Sequence, residues 1–383
     1  MYDQTLIYRI GLTLVKGIGS VIAKQIIEHL GDPEQLFREK ARILEQIPGI
    51  TRRVIAEIRS PEVLKRAEKE VLFIEKNKIK PLYIGDDDYP IRFRDCIDSP
   101  VMMYFRGSAD PNSENQSSGG ADLNTDKVIS IVGTRNASAY GREITEQIIK
   151  DLSEEYKNIL VVSGLAYGID CIAHSAALKD GLPTVGVLAH GLDMIYPYQH
   201  RKLAIEMLEN GGLLTDFMSE TNPDRQNFVK RNRIVAGISD CTLIVESAGK
   251  GGALITANIA DSYNKDLFAI PGRINDTYSQ GCNKLIKEKK AALVESAEDI
   301  MREMCWTTVR QQKTQEPIQR SLLLDLSTEQ QQIVTLLEKS ESMHLNILAI
   351  EMDFPVSKLS SLLFDLELDG VVRAMPGGLY KLV

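Results

Sequence analysis

Residues 128–142 read VISIVGTRNASAYGR. The β-branched run 128–132 predicts a buried strand, Gly133-Thr134-Arg135 a turn, and the residues from about Arg142 a helix. A strand, a glycine turn and a helix in that order place an anion at a helix N-terminus. The dinucleotide fingerprint G-x-G-x-x-G is absent. Arg135 stands inside the turn instead, where a guanidinium can grip a phosphate with two parallel hydrogen bonds.

The unit repeats outward from there. Residues 159–163 (ILVVS), 183–189 (PTVGVLA), 211–217 (GGLLTDF), 241–247 (CTLIVES) and 266–272 (DLFAIPG) each read as a strand, with helical stretches between them. Alternating strands and helices with continuously apolar strands predict a parallel sheet covered on both faces. Ligands of such sheets sit at the carboxyl ends of the strands, where these glycine loops fall.

The segment Arg225–Arg233 (RQNFVKRNR) holds four bases, no acid and one aromatic. Bases neutralise phosphates and Phe228 offers a stacking face, which suits nucleic acid. The bland alternative is a solvated basic helix start. The macrodipole disfavours cations there, so an anionic ligand would offset the cost. Lys250 lies among glycines in ESAGKGGALIT, but Ile244 and Gly251 break the Walker pattern and disfavour an intrinsic ATPase. A loop letting backbone approach phosphate is still allowed. No G-x-S-x-G elbow surrounds Ser163, and the five histidines show no metal spacing, so neither a catalytic set, a metal nor a cofactor is expected.

The 383 residues fit two or three domains. Residues 1–106 are expected to be a helical domain with two helix-hairpin-helix-like units, VKGIGSVIAKQIIEHLG and EQIPGITRRVIAEIRS. Their glycine turns either present amides to phosphate, beside Lys16, Arg52 and Arg53, or simply join scaffold helices. Residues 107–126 (GSADPNSENQSSGGADLNTD) cannot bury a core and are expected to be a flexible linker or insertion. Residues 127–305 are expected to form the parallel-sheet domain, 306–321 a second linker, and 322–383 a winged helix. In that last piece Ser327 or Thr328 caps a first helix, Ser357 a third, and VVRAMPGGLYKLV forms a hairpin.

The net charge of −8 argues at first against nucleic acid. Division by piece changes that: 107–126 carries four acids and no base, and 321–383 nine acids against four bases. The rest is near neutral with one concentrated basic stretch. The acidic winged helix, with Lys358 set against Asp365, Glu367 and Asp369, is expected to contact protein rather than DNA. Five scattered cysteines without CxxC spacing, and an N-terminus MYDQTLIYRIG without a secretory pattern, predict a cytoplasmic protein.

The series IVGTR, VVSGLAYGIDCIAHSAAL, IYP, FVKRNRIVAGIS, VESAGKGGALITA, LFAIPG and GCNKLI closely resembles the DNA processing protein A family, DprA or Smf. The resemblance runs almost continuously over 128–300. It implies an α/β fold: an extended Rossmann-like parallel sheet, an N-terminal helical (helix-hairpin-helix or SAM-like) domain and a C-terminal winged helix. It implies a homodimeric mediator that binds single-stranded DNA, protects it and loads the RecA recombinase in natural transformation. Single-strand-binding protein is a further expected partner. The implied DNA-contacting set is Gly133, Thr134, Arg135, Ser163, Gly164, Arg225, Phe228, Lys230, Arg231, Asn232, Arg233, Lys250 and Gly251. Val229 stands where the family often has proline and is expected to loosen the loop. The alternative is a phosphoribohydrolase-like enzyme on the same fold, a family whose PGGxGTxxE turn carries a glutamate into the helix. Here no glutamate enters the helix after ESAGKGG.

Overall fold

The computed structural model describes residues 4–107, 121–306, 327–338, 342–368, 371–375 and 378–382. The chain divides into two compact units, Met1–Gln312 and Lys313–Val383. Among the described residues no helix is long and apolar enough to cross a membrane.

The larger unit is built on a nine-stranded sheet in the order β1-β2-β6-β5-β4-β3-β7-β8-β9. The strands are β1 Lys80–Tyr83, β2 Met102–Gly107, β3 Val128–Val132, β4 Leu160–Ser163, β5 Thr184–Val187, β6 Gly211–Thr215, β7 Cys241–Ile244, β8 Asp266–Ala269 and β9 Ala292–Leu293. From β6 to β9 every pairing is parallel. The chain steps from β3 out to β6, then returns to the other side of β3 as β7, so the switch point lies between β3 and β7.

Strand residues alternate between two cores. Ile129 and Ile131 pack with Ile148, Leu152 and Leu243 on one face. Val128 and Val132 pack with Val162, Val187, Ile234 and Ile244 on the other. Each is fully or almost fully buried, which is why these strands read as continuous apolar runs.

The six strands expected from sequence are present, and three more accompany them. Residues 80–106, expected in a helical domain, supply β1 and most of β2, which add an antiparallel edge to β6. Pro81 suits β1 because an edge strand tolerates a missing N–H. The helices of residues 4–76 close over that edge: Ile10, Ala67, Val71 and Ile74 share a core with Met102, Tyr104, Leu188 and Leu213. The two glycine-turn units form their own small core. Gly17 (φ +95°) and Gly49 (φ +86°) hold left-handed turns pressed against Val54 and Ile22 of the opposite unit. The expected linker 107–126 is only partly within the described residues, and its end is packed, with Ala121 and Leu123 buried beside Tyr89 and Phe93. The expected linker 306–321 lies, apart from Trp306, outside the described residues.

The smaller unit has helices Thr328–Glu338, Leu345–Glu351 and Val356–Leu368, and a sheet in the order β10 (Met343–His344), β12 (Leu379–Leu382), β11 (Val372–Met375). This is the winged helix, with an extra short strand before its second helix. Ser327 is the cap of the first helix: its Oγ accepts from Gln330 N–H at 3.3 Å while Gln330 Oε1 accepts from Ser327 N–H at 2.9 Å. The third helix starts at Val356, one residue before the serine read as its cap.

Candidate functional site

A cleft of about 670 Å³ opens at the carboxyl ends of β3, β4 and β7, at the switch point. Three loops and one helix make it.

The first loop follows β3. Gly133 has no room for a side chain: a Cβ there would sit 2.5 Å from Ile169 Cγ1. Thr134 N–H donates to the Glu246 carbonyl at 2.7 Å. The buried Glu246 carboxylate takes Ser138 N–H at 2.9 Å and Ser138 Oγ–H at 2.5 Å. Ser138 Oγ also accepts from Gly141 N–H, capping the helix Ala139–Glu155. The turn is thus fixed at both ends by one residue, and Arg135 projects from it, exposed.

The second loop follows β4. Gly168 adopts φ +77°, and a Cβ on it would lie 2.2 Å from the Thr134 carbonyl, so the two loops run in contact. A Cβ on Gly164 would meet Arg231 Nη1 at 2.2 Å. Ser163, expected to offer close approach in the site, is buried, and its Oγ–H donates to the Ile131 carbonyl at 2.6 Å. It braces the sheet beneath the cleft.

The third loop follows β7. Gly251 packs on Ser247 Oγ, and the helix Ala253–Ser262 begins without a side-chain cap, its first residues lining the cleft beside the exposed Lys250. Leu254 N–H and Ile255 N–H already donate to the Gly251 and Gly252 carbonyls, at 3.2 and 3.0 Å, so what this helix start offers the cleft is the partial positive charge of its dipole.

The helix Arg225–Gly237 forms the far wall. Arg225, Phe228, Arg231 and Asn232 line the cleft, as their near-heptad spacing requires. Arg135 lies over the Phe228 ring, 5.4 Å from its centroid. Arg231 is only 4% exposed and donates to the Val187 carbonyl, while its Nε has no partner among the described residues. Burial pulls its pKa down to about 10, opposed by the Asp170 carboxylate, so it carries charge at neutral pH. Asp170 accepts from Gly164 N–H at 3.2 Å; burial pushes its pKa up and Arg231 pulls it back. Among the described residues the lining therefore holds Arg135, Arg225, Arg231 and Lys250 against one acid, Asp170.

The basic run does not act as one patch. Lys230 and Arg233 face a separate cleft of about 490 Å³ shared with Gly19, Ser20, Asp98 and Asp216. Arg233 pairs with Asp216 at 2.6 Å and donates to the Asp98 carbonyl and to Ser20 Oγ. It fastens the helix to the N-terminal helices. Val229 lies within the helix, so the absence of proline leaves regular helix where a looser loop was expected. Ten of the thirteen expected residues line the main cleft; Ser163, Lys230 and Arg233 do not. Glu246 was missed as the residue that sets the loop, because its partner Ser138 is 108 positions away.

Residues 80–305 match the family described as DNA recombination-mediator protein A, and residues 317–378 the DprA winged helix domain. Protein Smf of Escherichia coli K12 is 32% identical over 324 residues, which are 83% of this chain and 81% of that protein. DNA processing protein DprA of Bacillus subtilis 168 is 35% identical over 226 residues, 59% of this chain and 71% of that one. The X-ray structure of DprA from Streptococcus pneumoniae superposes with a TM-score of 0.61 at 30% identity, covering 79% of this chain and 99% of that one. DprA from Helicobacter pylori, whose structure was described for its single-stranded DNA binding mode, gives 0.51 at 27% identity, covering 60% and 96%.

Proposed function

Because the chain belongs to the DNA recombination-mediator protein A family, we propose that it binds single-stranded DNA in the switch-point cleft and passes it to a RecA-type recombinase during natural transformation, as a homodimer and without turnover chemistry. One observation carries the binding step: four cations, an uncapped helix start and an arginine-backed phenylalanine converge on a cleft with a single acid. Phosphates are neutralised by the cations, and Phe228 stacks on a base. Stacking faces accept any base, so binding is independent of sequence. An unpaired strand can turn its bases onto such a ring, whereas a duplex keeps them in its own stack.

Glu246 bears on the enzymatic alternative. Both its carboxylate oxygens accept from Ser138, so it serves the loop and is not presented to a nucleotide. In the winged helix, Lys358 is paired with Glu329 at 2.6 Å, which leaves the third helix acidic. We propose a protein-contact role for that unit, with the recombinase and single-strand-binding protein as the partners to test.

Fluorescence anisotropy with an oligo-dT and a duplex of equal length tests the reading. The single strand should bind tighter, and Phe228→Ala should weaken it by about 1–3 kcal/mol, the usual range for one base–aromatic stack. Equal affinity for both forms, with Phe228→Ala unchanged, would overturn it. Release of free base from AMP would favour the enzyme. Faster RecA filament growth on strands coated with single-strand-binding protein is the expected downstream readout.

A further inference from the structure

A second groove, of about 800 Å³, meets the cleft through one ring contact, Tyr196 of its lining against Phe228 of the cleft. Its lining includes Tyr167, Tyr196 and Tyr198, with Arg106 and Arg201. All three tyrosines are exposed, Tyr198 by 71%. Three exposed rings in one groove are unusual for surface residues with no task. The Tyr196 ring touches Phe228, with centroids 5.8 Å apart, so the aromatic surface runs on from the cleft without a break.

The groove is also held in shape. His190 is buried, donating from Nδ1 to the Gly191 carbonyl at 2.8 Å and accepting Tyr196 N–H at Nε2, 3.2 Å. Tyr167 stands edge-on to His200 at 4.9 Å and donates its hydroxyl to Gln199 Oε1 at 2.8 Å. Neither Arg106 nor Arg201 is ion-paired with another described residue, and Asp193 is the one acid in the lining.

We propose that this tyrosine groove is a second subsite for the same single strand, in which successive bases leaving the cleft stack on Tyr196 and Tyr198 while Arg106 and Arg201 face the phosphates. The inference rests on the cleft reading. Continuity with Phe228, exposed rings and two arginines without an ion pair among the described residues together favour a nucleic-acid strand; an apolar peptide would find no reason for the two cations. The consequence is a footprint longer than the cleft alone accommodates.

Oligo-dT of about 5 and about 15 nucleotides, spanning the roughly 4–16 seen for single-strand folds, separates the two subsites. Wild type should bind the longer strand more tightly. Tyr198→Ala should weaken the longer strand roughly five- to tenfold, the loss of one exposed stack, and leave the short one unchanged. Tyr198→Phe, which keeps the ring, should restore full affinity. A long strand lacking bases at its distal positions should bind wild type as weakly as the intact strand binds Tyr198→Ala. If wild type binds both lengths but Tyr198→Ala loses nothing on either, the groove proposal fails alone. If wild type binds neither length, the cleft reading fails and takes the groove with it. A groove that instead captures an apolar peptide, with strand affinity indifferent to Tyr198, also overturns the proposal.

Discussion

Arg225 and Arg233 lie eight positions apart on one helix, and replacing each by alanine should produce opposite phenotypes. Arg233 pairs with Asp216 at 2.6 Å, with side-chain exposures of 18% and 9%. Alanine there leaves the Asp216 carboxylate nine-tenths buried, and its Oδ1 already has no partner among the described residues. Breaking a buried pair by removing one partner costs about 3–5 kcal/mol. Partial exposure of Arg233 puts this case at the low end, about 3 kcal/mol. The unit spans Met1–Gln312, and at about 1.5 °C per kcal/mol for that length the melting temperature should fall by about 5 °C. Adding Asp216→Asn removes the orphaned charge and should recover part of the loss. Oligo-dT affinity, measured well below the melting temperature, should not change for Arg233→Ala. Arg225→Ala should do the reverse, weakening oligo-dT binding and leaving the melting temperature within about 1 °C, because an exposed substitution costs roughly 0.5 kcal/mol or less. Differential scanning calorimetry and anisotropy on the same preparations read both. An Arg233→Ala variant that melts normally yet binds weakly would refute the assignment of the two helix faces.

Ser138→Ala removes a helix cap and the hydroxyl donor to Glu246, so urea titration should show a loss of about 1–2 kcal/mol, with strand dissociation faster than in wild type. Gly164→Ala places a methyl 2.2 Å from the Arg231 guanidinium, a contact that one of them must leave, and stopped-flow release of oligo-dT should be accelerated even where the fold survives. Burial depresses the His174 pKa to about 3 from the ordinary 6.5, so it stays neutral in the folded state while the unfolded chain takes up a proton. Its contribution is full above pH 6.5 and is lost as pH falls toward 3. By pH 5 that amounts to about 2 kcal/mol, a difference between urea midpoints at pH 7 and 5 that His174→Gln should remove.

The alternating strands and glycine loops of residues 128–272 were legible because a doubly covered parallel strand is apolar at every position and its loops carry the site. β1 and β2 were not, since KPLY is short and holds a proline and MMYFRG lies next to a linker-like segment. β9, Ala292–Leu293, is two residues long and exposed, too short for its apolar pair to show a strand period. The basic run shows how composition and geometry differ. Read as nine residues it is one patch carrying four positive charges. At about 100° per residue, Arg225, Phe228, Arg231 and Asn232 fall on one side and Lys230 and Arg233 on the other. Helical period alone therefore holds that division. The Glu246–Ser138 bond and the ring contact of Tyr196 with Phe228 join residues far apart in the chain, and no local pattern announces them.

The central claim is that Arg135 and its neighbours neutralise the phosphates of a single strand. The most direct measurement is the salt dependence of oligo-dT affinity for wild type and Arg135→Ala, plotted as the logarithm of affinity against the logarithm of salt. Each phosphate contact on a single strand contributes about 0.7 to the slope, so the variant's line should be shallower by about that amount and lie below the wild type at low salt. Parallel lines, or an Arg135→Ala variant indistinguishable from wild type, would contradict the account.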